Sequence, residues 1–167
     1  WEAGMHMLAW LRSQRLRGIR FSHTGNEVPY AYSDASNKPD MYDGKCQYGF
    51  VIMWHNGPLV YLSQKLAHCS KGASSHNEYM AMSECSRSVI WLRQLFSELE
   101  LSDVNDKGRT HIEGIDKAPF IDGITSNPTV IFGDNNAANK LAMENAISTG
   151  NQYIYLPYHC IKEYYSE

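Results

Sequence analysis

Gln47-Tyr48-Gly49-Phe50-Val51-Ile52-Met53-Trp54-His55-Asn56-Gly57-Pro58-Leu59-Val60-Tyr61-Leu62-Ser63 is the stretch on which the fold turns. Residues 47–54 are mostly aromatic or β-branched, the composition of a pleated, half-buried strand. Asn56-Gly57 is the strongest short hairpin signal, so residues 59–63 are expected to return antiparallel to that strand. Just upstream, Tyr30-Ala31-Tyr32-Ser33 reads as a short strand with Asp34 at its carboxyl end. A polar loop carrying Asn37, Pro39, Asp40, Asp43 and Gly44 joins it to the hairpin.

Working outward, residues 1–17 read as a helix, with Trp1, Met5, Leu8 and Leu11 near helical spacing and Arg12, Arg15 and Arg17 gathered before Gly18. Ile19-Arg20-Phe21 is expected to be extended, and residues 23–26 to turn. Downstream, a long helix is expected over 75–99, because Met82, Cys85, Val89, Leu92, Phe96 and Leu99 recur every three or four residues. Ser75 with Glu78 fits a capping box. Residues 102–128 are polar and rich in Gly and Pro, and read as a surface insertion. Thr129-Val130-Ile131-Phe132 is continuously apolar, as expected of a strand in a sheet centre, and is followed by Gly133-Asp134 and a helix over 136–144. A last helix is expected after Gly150, with Pro157 in its first turn. The order is a mixed α/β layout: three antiparallel strands, a fourth strand parallel to the first, and flanking helices.

With 167 residues, 43% hydrophobic and 20% charged, the chain can bury one sizeable core. No apolar run approaches the roughly 20 residues that cross a bilayer, so neither a membrane span nor a secretory signal is expected, and no membrane partner. Trp1 stands where an initiator methionine would, so the sequence is expected to be part of a longer or processed chain. Cys46, Cys69, Cys85 and Cys160 form no Cys-x-x-Cys pair. That pattern argues against structural zinc and for free thiols in a reducing intracellular compartment. The net charge of −3 is unusual for a protein that grips a polyanion, although carboxylates holding a cation would be neutralised by it.

Asp34 and Asp134 each sit at the carboxyl end of an expected strand, where open α/β sheets present their ligands, and Glu78 sits in the first turn of the long helix. Singly, each has an ordinary structural explanation: Asp34 starts a loop, Glu78 completes a capping box, Asp134 caps a helix. Together they form a candidate catalytic and metal-binding set. Paired carboxylates also suit glycoside hydrolysis.

The local sequences separate these readings. Tyr32-Ser33-Asp34-Ala35, Tyr48-Gly49-Phe50, Ser75-His76-Asn77-Glu78-Tyr79-Met80-Ala81, Trp91-Leu92-Arg93, Gly133-Asp134-Asn135 and Tyr158-His159-Cys160-Ile161-Lys162-Glu163 stand in this order along the chain. The series resembles the ribonuclease H domain of copia-type (Ty1/copia) LTR retroelement polyproteins. The resemblance implies residues 1–25 as the end of the preceding reverse transcriptase or connection region, and residues 26–167 as a ribonuclease H-like domain. It also implies hydrolysis of the RNA strand of an RNA–DNA hybrid, with two Mg²⁺ (or Mn²⁺) ions about 4 Å apart. Asp34 would bridge the ions, and Glu78 and Asp134 would complete their shells. Ser36 and Asn135 are candidate substrate contacts. The remainder of the polyprotein, or other chains, would be protein partners.

The chain departs from the family pattern in places. The family's final strand and helix, with a fourth acidic residue, are missing after Glu167, and Tyr153-Ile154-Tyr155 and Lys45-Cys46-Gln47 replace family motifs. These departures keep a rival in play: a catalytically weak or inactive retroelement-derived domain acting as a structural or nucleic-acid-binding subunit. A transposase or integrase core also uses three carboxylates, but the Tyr79-Met80-Ala81 and Trp91-Leu92-Arg93 contexts fit it poorly. His159 is weighed as a general base against a packing role beside Tyr158. Tyr153, Tyr155, Tyr158, Tyr164 and Tyr165 are weighed as a stacking surface against core or interface.

Overall fold

The hairpin at the centre of the sequence pairs β2 (Gln47–Trp54) with β3 (Gly57–Lys65) in a computed structural model. The structure describes residues 1–22, 24–25, 28–70, 74–104, 128–144, 152, 154 and 156–165. The turn falls one residue earlier than the Asn-Gly signal suggests. His55 (φ 47°) and Asn56 (φ 64°) are its two left-handed residues, as a two-residue type I′ turn requires, and Gly57 opens β3. Gly57 is held to glycine by packing, since a Cβ there would meet the Phe21 ring at 2.7 Å. Residues 19–21 form no strand; instead the Ser22 N–H donates to the His55 carbonyl at 2.7 Å, tying this segment to the turn. Register slips between Ile52 and Met53, and Pro58, which lacks an N–H, is accommodated beside the slip on an outer strand.

β1 (Tyr30–Ala35) runs antiparallel to β2 and parallel to β4 (Val130–Phe132), giving the order β3-β2-β1-β4. This is the mixed α/β sheet expected, with one correction. Among the described residues β4 lies at the sheet edge, not its centre. Its apolar run is continuous because Ile131 faces the core side while Val130 and Phe132 stay about half exposed on the other, where Phe132 stacks on Tyr32.

One face of the sheet carries the core. Ala31, Ser33 and Ala35 of β1 and Tyr48, Phe50 and Ile52 of β2 alternate inward, against α2 (Ser74–Val104). Met82, Cys85, Val89, Leu92 and Phe96 are the buried stripe of that helix, as their spacing predicts. The helix runs past the expected end through 102–104, because no Gly or Pro interrupts 97–104. The rest of the expected 102–128 insertion, residues 105–127, lies outside the described residues. α3 (Asn136–Met143), a 3₁₀ turn (Leu156–His159) holding Pro157, and α4 (Cys160–Tyr165) pack beside α2. α1 (Glu2–Ser13) buries none of its residues and stops short of the expected residue 17; Ser13 Oγ donates to the Trp10 carbonyl at its end. No helix among the described residues is long and apolar enough to cross a membrane.

The expectation of four free thiols is corrected. Cys46 and Cys69 form a disulfide, their Cα atoms 5.9 Å apart, while Cys85 and Cys160 are free. The hairpin explains this: it brings the start of β2 beside the segment after β3, and the Leu66 N–H donates to the Cys46 carbonyl there at 2.8 Å. Burial pushes the Cys85 thiol up to about 12, which keeps it protonated and inert.

Candidate metal centre

Strand alternation decides where Asp34 points. Its neighbours Ser33 and Ala35 face the core, so Asp34 projects from the opposite, exposed face of β1. Directly across in register stands Gly49, so no cross-strand side chain covers the carboxylate. Asp134 follows β4. Because Tyr32 pairs with Phe132 in the parallel β1–β4 ladder, the residues two places on, Asp34 and Asp134, emerge at the same edge of the sheet.

Glu78 comes from the first turns of α2, and Gly133 is what lets β4 approach it. A Cβ at position 133 would lie 3.0 Å from Asn139 Oδ1 and 3.2 Å from Met82 Sδ, one helical turn along from Glu78. The Gly133 carbonyl accepts from Asn139 Nδ2 at 3.0 Å, fastening the strand end to α3. As a result Asp34, Glu78 and Asp134 each offer a carboxylate oxygen within 4.8 Å of the others.

Neither ordinary explanation accounts for Glu78 or Asp134. Ser75 lies inside α2, not ahead of it, so the capping box does not form; the helix begins one residue sooner than the pattern suggests. Asn135, not Asp134, caps α3: its Oδ1 accepts from the N–H groups of Ala137 at 2.9 Å and Ala138 at 3.2 Å. The other end of the same amide, Nδ2, donates to Glu78 Oε1 at 3.1 Å. Asn135 is therefore engaged within the chain at both ends. Ser36, the second polar candidate, is exposed beside Asp34, its Oγ accepting from the Lys38 N–H at 3.2 Å.

Burial raises the Glu78 carboxyl above its ordinary range, with the negative charges of Asp134 and Asp34 adding to the effect; the Asn135 hydrogen bond opposes it. Among the described residues, the ion pairs Lys65–Asp40, Lys65–Asp43 and Arg87–Glu84 involve none of the three carboxylates. A converging set of hard, anionic oxygen donors without a cationic neighbour fits a divalent cation such as Mg²⁺ or Mn²⁺.

His159 is buried, its Nδ1 3.0 Å from the Tyr79 hydroxyl, in the packing between α2 and the C-terminal helix. Tyr158 is buried as well, whereas Tyr153 and Tyr155 lie outside the described residues. The residue that sequence reasoning assigned differently is Asn135. An Asn directly ahead of a helix is a strong capping signal, and its amide is left with a donor to spend on a neighbouring carboxylate.

Comparison with known proteins shows homology to the Pol polyproteins of copia-type transposons over nearly the whole chain. It is 23% identical over 163 residues to the retrovirus-related Pol polyprotein from transposon TNT 1-94 of Nicotiana tabacum, covering 98% of this chain. It is 25% identical over 163 residues to the corresponding polyprotein from transposon RE2 of Arabidopsis thaliana, covering 97% of this chain. A shorter match, 28% identical over 92 residues and 55% of this chain, is to the secreted RxLR effector protein 161 of Plasmopara viticola. The chain spans only 10% of the length of each polyprotein, and its match covers 64% of the effector. No family model matches the chain. No solved structure matches it either.

Proposed function

We propose that this chain is a retroelement-derived ribonuclease H that hydrolyses the RNA strand of RNA–DNA hybrids. The observation that carries the reading is the convergence of Asp34, Glu78 and Asp134, from a strand, a helix and a strand end, to within 4.8 Å. The homology to transposon Pol polyproteins, whose copying requires handling of RNA and DNA strands together, supports the same substrate class.

In this reading Asp34, exposed on the sheet and uncovered opposite Gly49, is the carboxylate shared by two ions, and Glu78 and Asp134 each complete one shell. When bound, a pair of Mg²⁺ or Mn²⁺ ions supplies activation of water and stabilisation of the leaving 3′-oxygen in an in-line displacement. Asn135 is a positioning residue. Its rigid hold at the α3 N-terminus fixes its Nδ2, which in turn orients the Glu78 carboxylate. Ser36, beside Asp34 on an exposed loop, is placed to contact the hybrid backbone or a 2′-hydroxyl.

A noncatalytic structural or nucleic-acid-binding subunit is the second reading, favoured by the net charge of −3, which gives weak electrostatic grip on a polyanion. The two are separated by incubating a labelled RNA–DNA hybrid with the chain in Mg²⁺ or Mn²⁺, and with Asp34→Asn. Cleavage of the RNA strand that Asp34→Asn abolishes supports the enzyme; hybrid binding without cleavage supports the subunit.

A further inference from the structure

Next to Asp34, on the face of the sheet away from α2, lies an open groove of about 490 Å³ lined by Tyr32, Asp34, Ser36, Gln47, Gly49 and Ser63 among others. It is continuous with the carboxylate site, because Asp34 and Ser36 belong to both. We propose that this groove seats the nucleoside adjacent to the phosphate held at the carboxylates, with Tyr32 as its stacking floor and Gln47 and Ser63 contacting the base edge. The inference rests on the ribonuclease reading for the identity of the ligand.

Three features fit a base and not another phosphate. First, no Lys or Arg lines the groove, and Asp34 at its end would repel an anion, so the occupant is an uncharged, planar part of the substrate. Second, the Tyr32 side chain is 50% exposed although it is aromatic, and its ring is stacked on Phe132 at 5.2 Å with a 26° interplanar angle. Tyr30 meets both rings edge-on, at 5.8 and 6.4 Å, so the Tyr32 plane is held by packing before any ligand arrives. An exposed, pre-oriented aromatic face beside a phosphodiester site is what a base stacks on.

Third, the polar rim is organised. Gln47 Nε2 donates to Ser63 Oγ at 2.9 Å across the β2–β3 ladder. That bond fixes the plane of an exposed amide while leaving its oxygen and its second N–H for a ligand, a side-by-side acceptor and donor that matches a base edge. Gly49 keeps the floor low between Tyr32 and Ser63, where any larger residue would fill the space; a Cβ there would already sit 3.1 Å from the Leu62 carbonyl oxygen.

The test measures binding of a fluorescently labelled RNA–DNA hybrid to the chain by anisotropy in Ca²⁺, followed by cleavage kinetics in Mg²⁺, for the parent chain, Tyr32→Leu, Tyr32→Phe and Gln47→Leu. Circular dichroism checks each fold; Gln47 is exposed, so its variant reads the groove even if Tyr32→Leu disturbs β1. Loss of the ring should weaken binding roughly tenfold, with Tyr32→Phe restoring it. Gln47→Leu should weaken binding severalfold, change base preference at one position beside the cut, and place the loss on KM and not kcat. Variants that bind like the parent overturn the groove, as does a parent that binds no hybrid. A Tyr32→Leu effect confined to sedimentation, marking a contact between copies, also overturns it. If the variants lose binding but no form cleaves, the groove stands as a nucleic-acid site and the ribonuclease reading fails.

Discussion

Asn135 Nδ2 donates to Glu78 Oε1 at 3.1 Å while Asn135 Oδ1 accepts two N–H groups from the first turn of α3, so one amide joins the end of β4 to the acidic residue of α2. The two functions of that side chain are separable by substitution. Asn135→Ser keeps a capping oxygen but is too short to reach Glu78. Asn135→Ala loses both.

Thermal unfolding and a Mn²⁺ titration should therefore diverge. Asn135→Ala should cost about 1 kcal/mol of stability, the usual worth of an N-cap, while Asn135→Ser should cost only a few tenths. Both should weaken Mn²⁺ binding roughly tenfold or more, in the range of ligand-orienting partners. Undiminished Mn²⁺ affinity in Asn135→Ser would show that Glu78 needs no such support.

Glu78 also predicts a pH dependence. Its carboxyl titrates above the ordinary value of 4.5, because of burial first and the charges of Asp134 and Asp34 next. A carboxyl whose folded pKa is raised contributes stability that is complete below the unfolded pKa and lost as pH rises through the folded one. In EDTA the chain should thus lose stability as pH climbs from about 4.5 upward, and Glu78→Gln should flatten that slope. Added Mg²⁺ or Mn²⁺ should stabilise the parent more at neutral pH than at pH 4.5, since the cation and the proton compete for the same oxygens. Urea midpoints across pH, with and without metal, measure both effects; equal slopes for parent and Glu78→Gln would contradict them.

Gly133→Ala should act on the same site from the backbone. The added methyl would meet Asn139 Oδ1 at 3.0 Å and Met82 Sδ at 3.2 Å, and must push β4 and α2 apart or displace those side chains. A loss of about 1–3 kcal/mol is expected from such overpacking, together with weaker Mn²⁺ binding as Asp134 moves from Glu78. Retained Mn²⁺ affinity alongside reduced stability would mean the side chains give way and the carboxylates do not.

Much of this arrangement is legible from residue order alone, and the exceptions have physical causes. Period-two alternation placed β1 and β2, and the three-to-four spacing from Met82 to Phe96 placed the buried stripe of α2, because both patterns report which face meets the core. Asp34 and Asp134 were legible as neighbours because parallel strands end at one sheet edge. Local patterns failed where a competing local solution existed. The Ser75–Glu78 box fits a helix start, yet the helix begins at Ser74 and leaves the Glu78 carboxylate to the Asn135 amide. The apolar run 129–132 fits a sheet centre, but at an edge it supplies an exposed Phe132 to stack on Tyr32. Cys46 and Cys69, separated by 23 positions, match no spacing motif; only the β2–β3 hairpin brings them together.

The most direct test of the ribonuclease reading follows the RNA strand of an end-labelled RNA–DNA hybrid on a denaturing gel, with the chain in Mg²⁺ or Mn²⁺, in EDTA, and as Asp34→Asn. The account predicts RNA cut and DNA intact in metal, no cutting in EDTA, and at least a hundredfold slower cutting by Asp34→Asn, as expected when a group on which the metal chemistry depends is removed. An intact RNA strand under every condition, or cleavage that persists at the parent rate in Asp34→Asn, would contradict it.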